Sequence, residues 1–371
     1  MTEDRLKKAC LFMSACKIHT LIACHPKHVY YLSGFSTTAR PYWQIGQTCC
    51  LISQNGLRAL ILPKPWGKEF SSVSVFQVVE YSGGAEGCAQ TIAALLPGQS
   101  DVKVGADLTW MNTPLFRALS KEAPHISLLD EHPVLAWCRM DKDLSEIQAL
   151  YQACKISDHA LQKAGLLIRE GSIEQEIQTA LDSQMIQEGS LGGGFTTKVI
   201  SGSNGSFPHH VAGNHQISAK SATIVDLSAS VNHYESDSAR TYLTESPAQK
   251  ECSELSCIHQ GICEILAQLP KKLRPGVPVS DIDRFVRKEL SRLRPDALQA
   301  GTIGHGVGLH AHEYPDITPD SSELLQENMV LAIEPALYLP GHWGIRIENM
   351  FHIHCSATDI MNELEASYGH L

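Results

Sequence analysis

The stretch TIVDLSASVNHYESDSART, residues 223–241, decides how this chain is read. Two apolar or alternating runs flank a short turn near Val231 and Asn232. That is a hairpin pattern, although the favoured Asn-Gly pair is absent. Asp226 and Asp237 have their midpoint on the turn, so a tight hairpin places them on facing strands. A carboxylate at the end of an apolar run such as TIV is costly to bury. Two facing carboxylates repel unless a proton or a cation lies between them. The stretch alone leaves two readings open: acids that face water, and acids around a bound metal.

Upstream, Thr196 to Ile200 reads as a strand and SGSNGSFPHH, 201–210, as a loop ending in two histidines. The glycine patch SLGGG, 190–194, lacks the GxxxxGK[ST] pattern of a phosphate loop. Before it stand two helices. One is opened by Asp143 and Glu146 at capping-box spacing and ended by Gly171; the next is opened by Ser172 with Gln175 and runs to about Glu188. Downstream, helices are expected over Pro247 to Leu269 and Ser280 to Leu293. A stretch rich in glycine and histidine follows, GTIGHGVGLHAHEYP at 301–315. Val330 to Ile333 is a buried strand ending at Glu334, and His342 to Met350 an extended partner ending around Glu348.

The first 130 residues alternate strands with helices. A helix is expected over 1–17 and a buried strand over His19 to Cys24. Two strands join through Asn55-Gly56, a helix spans Ala85 to Leu96, a strand Val102 to Ala106 and a helix Asn112 to Leu119. HVYYLSGF at 28–35 and ARPYWQIG at 39–46 read as irregular segments rich in aromatics. Tyr31, Phe35, Tyr42 and Trp43 either anchor an interface or cover the small domain's own core. Pro133 and MDKD at 140–143 mark the boundary. The expected domains are therefore an α/β unit over 1–138 and a catalytic unit over 139–371.

A chain of 371 residues with 43% apolar content supports two cores. Its net charge of −10, without a basic block, argues against nucleic acid and anionic membranes as partners. No apolar run is long enough for a span, and no h-region opens the chain. The twelve cysteines form no close CxxC pair and read as reduced core residues, so the cytoplasm is the expected compartment.

The carboxylates and histidine at strand ends and in glycine loops are Asp226, Asp237, His305, Glu334 and Glu348. Four carboxylates with one imidazole favour a hard or borderline cation. Two divalent ions would balance them, and such a pair can hold a hydroxide and polarise a carbonyl. Each acid ends or interrupts an apolar strand, in IVD, AIEP and IRIE, which a set of unrelated surface acids does not explain.

These segments resemble the creatinase and methionine aminopeptidase superfamily, with its pita-bread fold. The resemblance is carried by PHH at 208–210, VDLSASVNHYESDSART at 225–241, GHGVGLHAHEYP at 304–315, AIEPALY at 332–338 and GIRIEN at 344–349, in the family's order. The two-domain layout is most similar to proline dipeptidases, Xaa-Pro aminopeptidases and creatinase. The resemblance implies an α/β N-terminal domain before an α+β pita-bread catalytic domain. It also implies a dinuclear hydrolase that attacks the scissile carbonyl with a metal-bridging hydroxide. The metal would be manganese first, with zinc, cobalt or iron as alternatives. By the same resemblance Asp226, Asp237, His305, Glu334 and Glu348 would be ligands, with Asp237 and Glu348 bridging. Glu334 would also carry the proton, and His209 and His312 would hydrogen-bond the substrate carbonyl. Tyr338 and Arg346 would line the substrate pocket, although Arg346 could instead pair with an acid. A homodimer with a shared pocket is implied as well.

The chain departs from the family's usual residues at Ser228, Ala239, Ala336, Asn349, Gly301 and His310. None of these removes a ligand. They leave two substrate classes: an Xaa-Pro peptide, and a non-peptide C–N bond in a small amide, amidine or modified amino acid. A dead-site binding protein and a lyase are further alternatives.

Overall fold

The computed structural model describes residues 2–36, 47–64, 67, 75–98, 102–130, 132–244 and 253–369. They form two compact units, Met1–Arg139 and Met140–Leu371. In the first unit, β1 (Thr20–Ala23), β2 (Cys49–Ser53), β3 (Arg58–Pro63), β4 (Gln77–Tyr81), β5 (Val102–Ala106) and β6 (Ile126–Asp130) make one sheet in the order β4-β3-β2-β1-β5-β6. β1 to β3 are antiparallel, and β4, β5 and β6 join in parallel. Gly56, at φ 93°, makes the turn between β2 and β3, where a residue with a Cβ would be strained. Ile22, Leu51, Ile61 and Val104 of the sheet pack with Ile92, Leu115 and Leu119. The strands β4 and β6 lie at the sheet edges, and their half-exposed sequences gave no apolar run to find them by.

The expectation of an irregular segment over 28–35 fails for most of its length. Residues 26–33 are not irregular; Pro26–Ser33 is a helix, α2, following α1 (Thr2–Ala15). Its signals are in its ends. His25 caps it by accepting the Lys27 amide, Pro26 stands in the first turn, and Gly34 closes it at φ 74°. Tyr31 and Phe35 are buried, at 1% and 8% exposure, so they belong to the unit's own core. Tyr42 and Trp43 lie outside the described residues.

The unit continues through α3 (Gly84–Leu95), α4 (Thr113–Glu122) and α5 (His132–Met140). Position 133, expected to mark a boundary, therefore lies within a helix. The second unit opens with α6 (Leu144–Leu167), whose capping box is formed as expected: Asp143 accepts from the Glu146 amide and Glu146 from the Asp143 amide. The helix α7 (Glu174–Gln187) is preceded by Ile173, not capped by Ser172. The Ser172 hydroxyl donates instead to Leu167 O. The next helices are α8 (Glu254–Lys272), capped by Ser253, and α9 (Val279–Leu293). The part of the expected helix before Ser253 falls outside the described residues from position 252 back to 247.

Among the described residues, strands of this unit form four sheets. β7 (Lys198–Ser201), β8 (Ala222–Leu227) and β11 (Ser238–Leu243) are ordered β11-β8-β7, and β9 (Ser230–Val231) pairs with β10 (Tyr234–Glu235). β12 (Leu298–Gln299), β16 (Ala336–Leu339) and β17 (Trp343–Arg346) are ordered β12-β16-β17. β13 (Gly304–Gly306), β14 (Glu313–Ile317), β15 (Val330–Ile333), β18 (Asn349–Ile353) and β19 (Thr358–Ile360) are ordered β14-β13-β15-β18-β19.

The hairpin expected over 223–241 is present, with its turn one residue later than expected. Asn232 and His233 form the turn at φ 50° and 68°, the primed geometry that suits the twist of a hairpin. The later turn shifts the register, so Asp226 faces Ala239 rather than Asp237. The two acids are diagonal neighbours on one face, not direct partners. Among the described residues every cysteine is free, and no helix is long and apolar enough to cross a membrane.

Candidate metal centre

Four chain segments bring the centre together. Asp237 stands just before β11, and His305 is the middle residue of β13. Glu334 follows β15, and Glu348 lies between β17 and β18. The Glu348 amide donates to Ala239 O, which pins that segment beside the hairpin. The fully buried Arg240 strengthens the join. Its guanidinium donates to the carbonyls of Ala239, Glu348, Leu364 and Glu365. On either side of His305, a Cβ at Gly304 or Gly306 would collide with backbone of the flanking strands. Glycine there lets β13 sit closely between β14 and β15.

Asp237, His305 and Glu348 each offer a ligand atom within 4.8 Å of the other two. The His305 Nδ1–H donates to Gly306 O at 3.1 Å, which leaves the Nε2 lone pair facing the centre. That nitrogen is 3.7 Å from Asp237 Oδ2 and 3.7 Å from Glu334 Oε1. Burial, with the nearby His312, lowers the His305 pKa to about 4, so the ring is neutral. Burial pushes Asp237 well above its ordinary range, and the charges of Asp226 and Glu334 push it further. Glu348 is raised for the same reasons, burial first and then Asp237. Glu334 is also raised by burial. A lone pair aimed at carboxylates, and carboxylates that raise one another, form the pattern of a cation site. Asp226 Oδ1 and Glu348 Oε1 are buried and take no hydrogen bond from any described residue. The donors are oxygen and imidazole, so the set fits a divalent metal.

Asp226 is placed differently from the other acids. Its Oδ2 accepts from Lys198 Nζ at 2.8 Å and pairs with Arg346 Nη2 at 2.7 Å. Although burial acts to raise it, Arg346 and Lys198 hold its pKa below the usual value. Of the two readings of Arg346, the contacts are those of a partner to acids. It is buried at 3%, and Nη1 lies 3.7 Å from Glu334 Oε2 and 3.4 Å from Tyr338 OH. Tyr338 is buried at 2% beside it. Two basic groups, Lys198 and Arg346, therefore stand among the acids. Lys198 opens a short strand whose partner the sequence alone does not give, so its place beside Asp226 is set by the sheet register. In the register Lys198 is opposite Asp226, and KVIS set against TIVD was the signal available.

His312 is exposed, and its ring stacks on that of His305 with centroids 3.9 Å apart. Its Nε2 is 2.8 Å from Asp316 Oδ1. His209 is exposed at the end of the PHH loop. Its pKa is lowered by partial burial and by Lys198 and Arg346. Arg346 Nη2 reaches Pro208 O at 3.5 Å, which holds that loop against the acids.

Residues 148–354 match the family described as metallopeptidase family M24, and residues 5–140 match the creatinase/prolidase N-terminal domain. A curated relative, an Xaa-Pro dipeptidase of Pyrococcus furiosus, is 28% identical over 94% of this chain and 94% of its own length. The crystal structure of the prolidase from Pyrococcus horikoshii OT3 superposes with a TM-score of 0.84 at 26% identity, covering 97% of this chain and 99% of that one. A recombinant prolidase from Thermococcus sibiricus gives a TM-score of 0.88 at 25% identity, covering 98% and 97%.

Proposed function

Since the chain belongs to metallopeptidase family M24 and is a metal-dependent hydrolase, we propose that it acts as an Xaa-Pro dipeptidase on small peptides. The observation that carries the reading is the buried trio of Asp237, His305 and Glu348, with Glu334 on its open side. The full-length likeness to Xaa-Pro dipeptidases supports the substrate class. These residues would hold the metal, and manganese suits an oxygen-rich set best. When bound, the metal supplies Lewis-acid polarisation and a nucleophile at neutral pH.

The rest of the work falls to the chain's own side chains. Glu334 is the least enclosed of the four carboxylates, at 16% side-chain exposure, and its raised pKa suits a group that takes a proton and gives it back. It would pass the proton from the attacking water to the leaving amine. His312, stacked on His305 and held by Asp316, and His209 on the facing loop would donate to the carbonyl oxygen as charge develops. Arg346 holds Asp226 and touches Tyr338, so its role is to position the acids rather than to meet substrate.

The test is a panel of Xaa-Pro dipeptides and small amides, run with chelator-stripped and metal-reloaded protein. Proline dipeptides should be cleaved only after reloading. Cleavage confined to small non-peptide amides or amidines would overturn the peptide reading and select the other substrate class.

A further inference from the structure

The charge balance of the centre points to one metal ion rather than two. Asp226, Asp237, Glu334 and Glu348 together carry four negative charges when ionised. Arg346 and Lys198 sit among them, and both contact the same oxygen of Asp226. Four negative charges against two positive leave a balance of minus two, which a single divalent ion neutralises. The acids also divide by position. Asp237 and Glu348 meet the geometry of one shared ion with His305, and Glu334 Oε1 lies 3.7 Å from the same His305 nitrogen, whereas Asp226 is paired with Lys198 and Arg346.

Lys198 is built into this place. It lies directly across the sheet from Asp226, with a side chain only 19% exposed. Its Nζ stands 4.5 Å from the centroid of the Phe195 ring, over the aromatic face. Arg346 closes the other side of the Asp226 carboxylate. Asp226 Oδ2 therefore has its countercharges without a metal, and a second divalent ion on the remaining oxygen, Oδ1, would share the carboxylate with an ammonium 2.8 Å from Oδ2. Coulomb repulsion between a dication and a monocation at such range is severe in a buried site.

We propose that the Lys198 ammonium takes the place of a second metal ion, so that this enzyme carries one catalytic metal, held by Asp237, His305, Glu348 and Glu334, with Asp226 kept as an ion-paired carboxylate. The proposal rests on the metallopeptidase reading above and sharpens it.

The test is metal counting on the full-length protein. Chelator-stripped wild type, Lys198→Met and Lys198→Arg are dialysed against Mn(II), and bound metal is measured by mass spectrometry. Electron paramagnetic resonance of the bound Mn(II) is recorded alongside. Wild type and Lys198→Arg should bind one equivalent and show the spectrum of an isolated ion. Lys198→Met should bind two, and its spectrum should show exchange coupling. Lys198→Gln replaces Lys198→Met if the latter does not give a native thermal melt. Two equivalents in wild type would overturn the proposal and leave the metallopeptidase reading standing. A folded, charge-free variant that still binds only one would overturn it equally. No binding by any of the proteins would overturn both readings together.

Discussion

At the scale of single residues, the centre separates roles that look alike in sequence. Glu334 and Glu348 both end apolar strands. Glu348 is buried at 1% among other acids, while the Glu334 side chain keeps 16% exposure. Glu334→Gln should therefore lower turnover by roughly 10²–10⁴-fold, the usual worth of a positioned acid–base group. Steady-state kinetics would show the loss, and a thermal melt matching wild type would show that the fold is kept. His209→Ala and His312→Ala should lower kcat while metal content stays at the wild-type level. Loss of metal from either would mean that the histidine is a ligand. A pH effect belongs to this scale too, at His25 in the first unit. Its Nδ1 accepts the Lys27 amide, so the neutral ring is the form that caps the helix. Burial, then the neighbouring His28, lowers its pKa from 6.5 to about 3. With the folded pKa below the unfolded one, the unfolded chain takes up the proton first. Stability should fall as pH drops from 6.5 toward about 3. Melts across that range should show a falling Tm, and His25→Asn, which still offers a capping oxygen, should show a shallower fall.

At the scale of elements, the hairpin and the capping box carry the test. The His233 backbone sits at φ 68°, where a β-branched side chain costs about 1–2 kcal/mol more than glycine does. His233→Val should therefore be less stable than His233→Gly by about that amount in urea unfolding. Equal stability would mean that the turn rearranges. Asp143→Ala removes the acceptor for the Ser145 and Glu146 amides and should cost about 1 kcal/mol. The capping box was legible because it is a short local pattern. The turn was misplaced by one residue because no glycine marked it. That single step decides whether Asp226 meets Asp237 directly or diagonally. The α2 helix was missed for a related reason: its interior, VYYL, has no helical period, and its ends hold the information.

At the scale of the whole molecule, the fold class was legible in alternating strands and helices followed by long helices and carboxylate strands. The dimer is a proposal to which Tyr31 and Phe35 lend no support, since both are core residues. Light scattering tests it directly. A dimer should register at twice the 40.7 kDa of the chain, and an active monomer would reject a shared pocket.

The sequence by itself offered the candidate donors, because carboxylates and an imidazole at the ends of apolar strands are costly to bury without a cation among them. It determined the family through five short motifs in order. The pairing of Lys198 with Asp226 was decided only by tertiary structure. Residues 198 and 226 lie on strands separated by a long irregular loop, and nothing local sets their register. The burial of Arg346 among acids, the stacking of His312 on His305 and the anchoring of Glu348 by Arg240 are likewise long-range. A sequence gives the number of charges in a site. Which charges are already paired depends on which strands become neighbours, and that is a property of the folded chain.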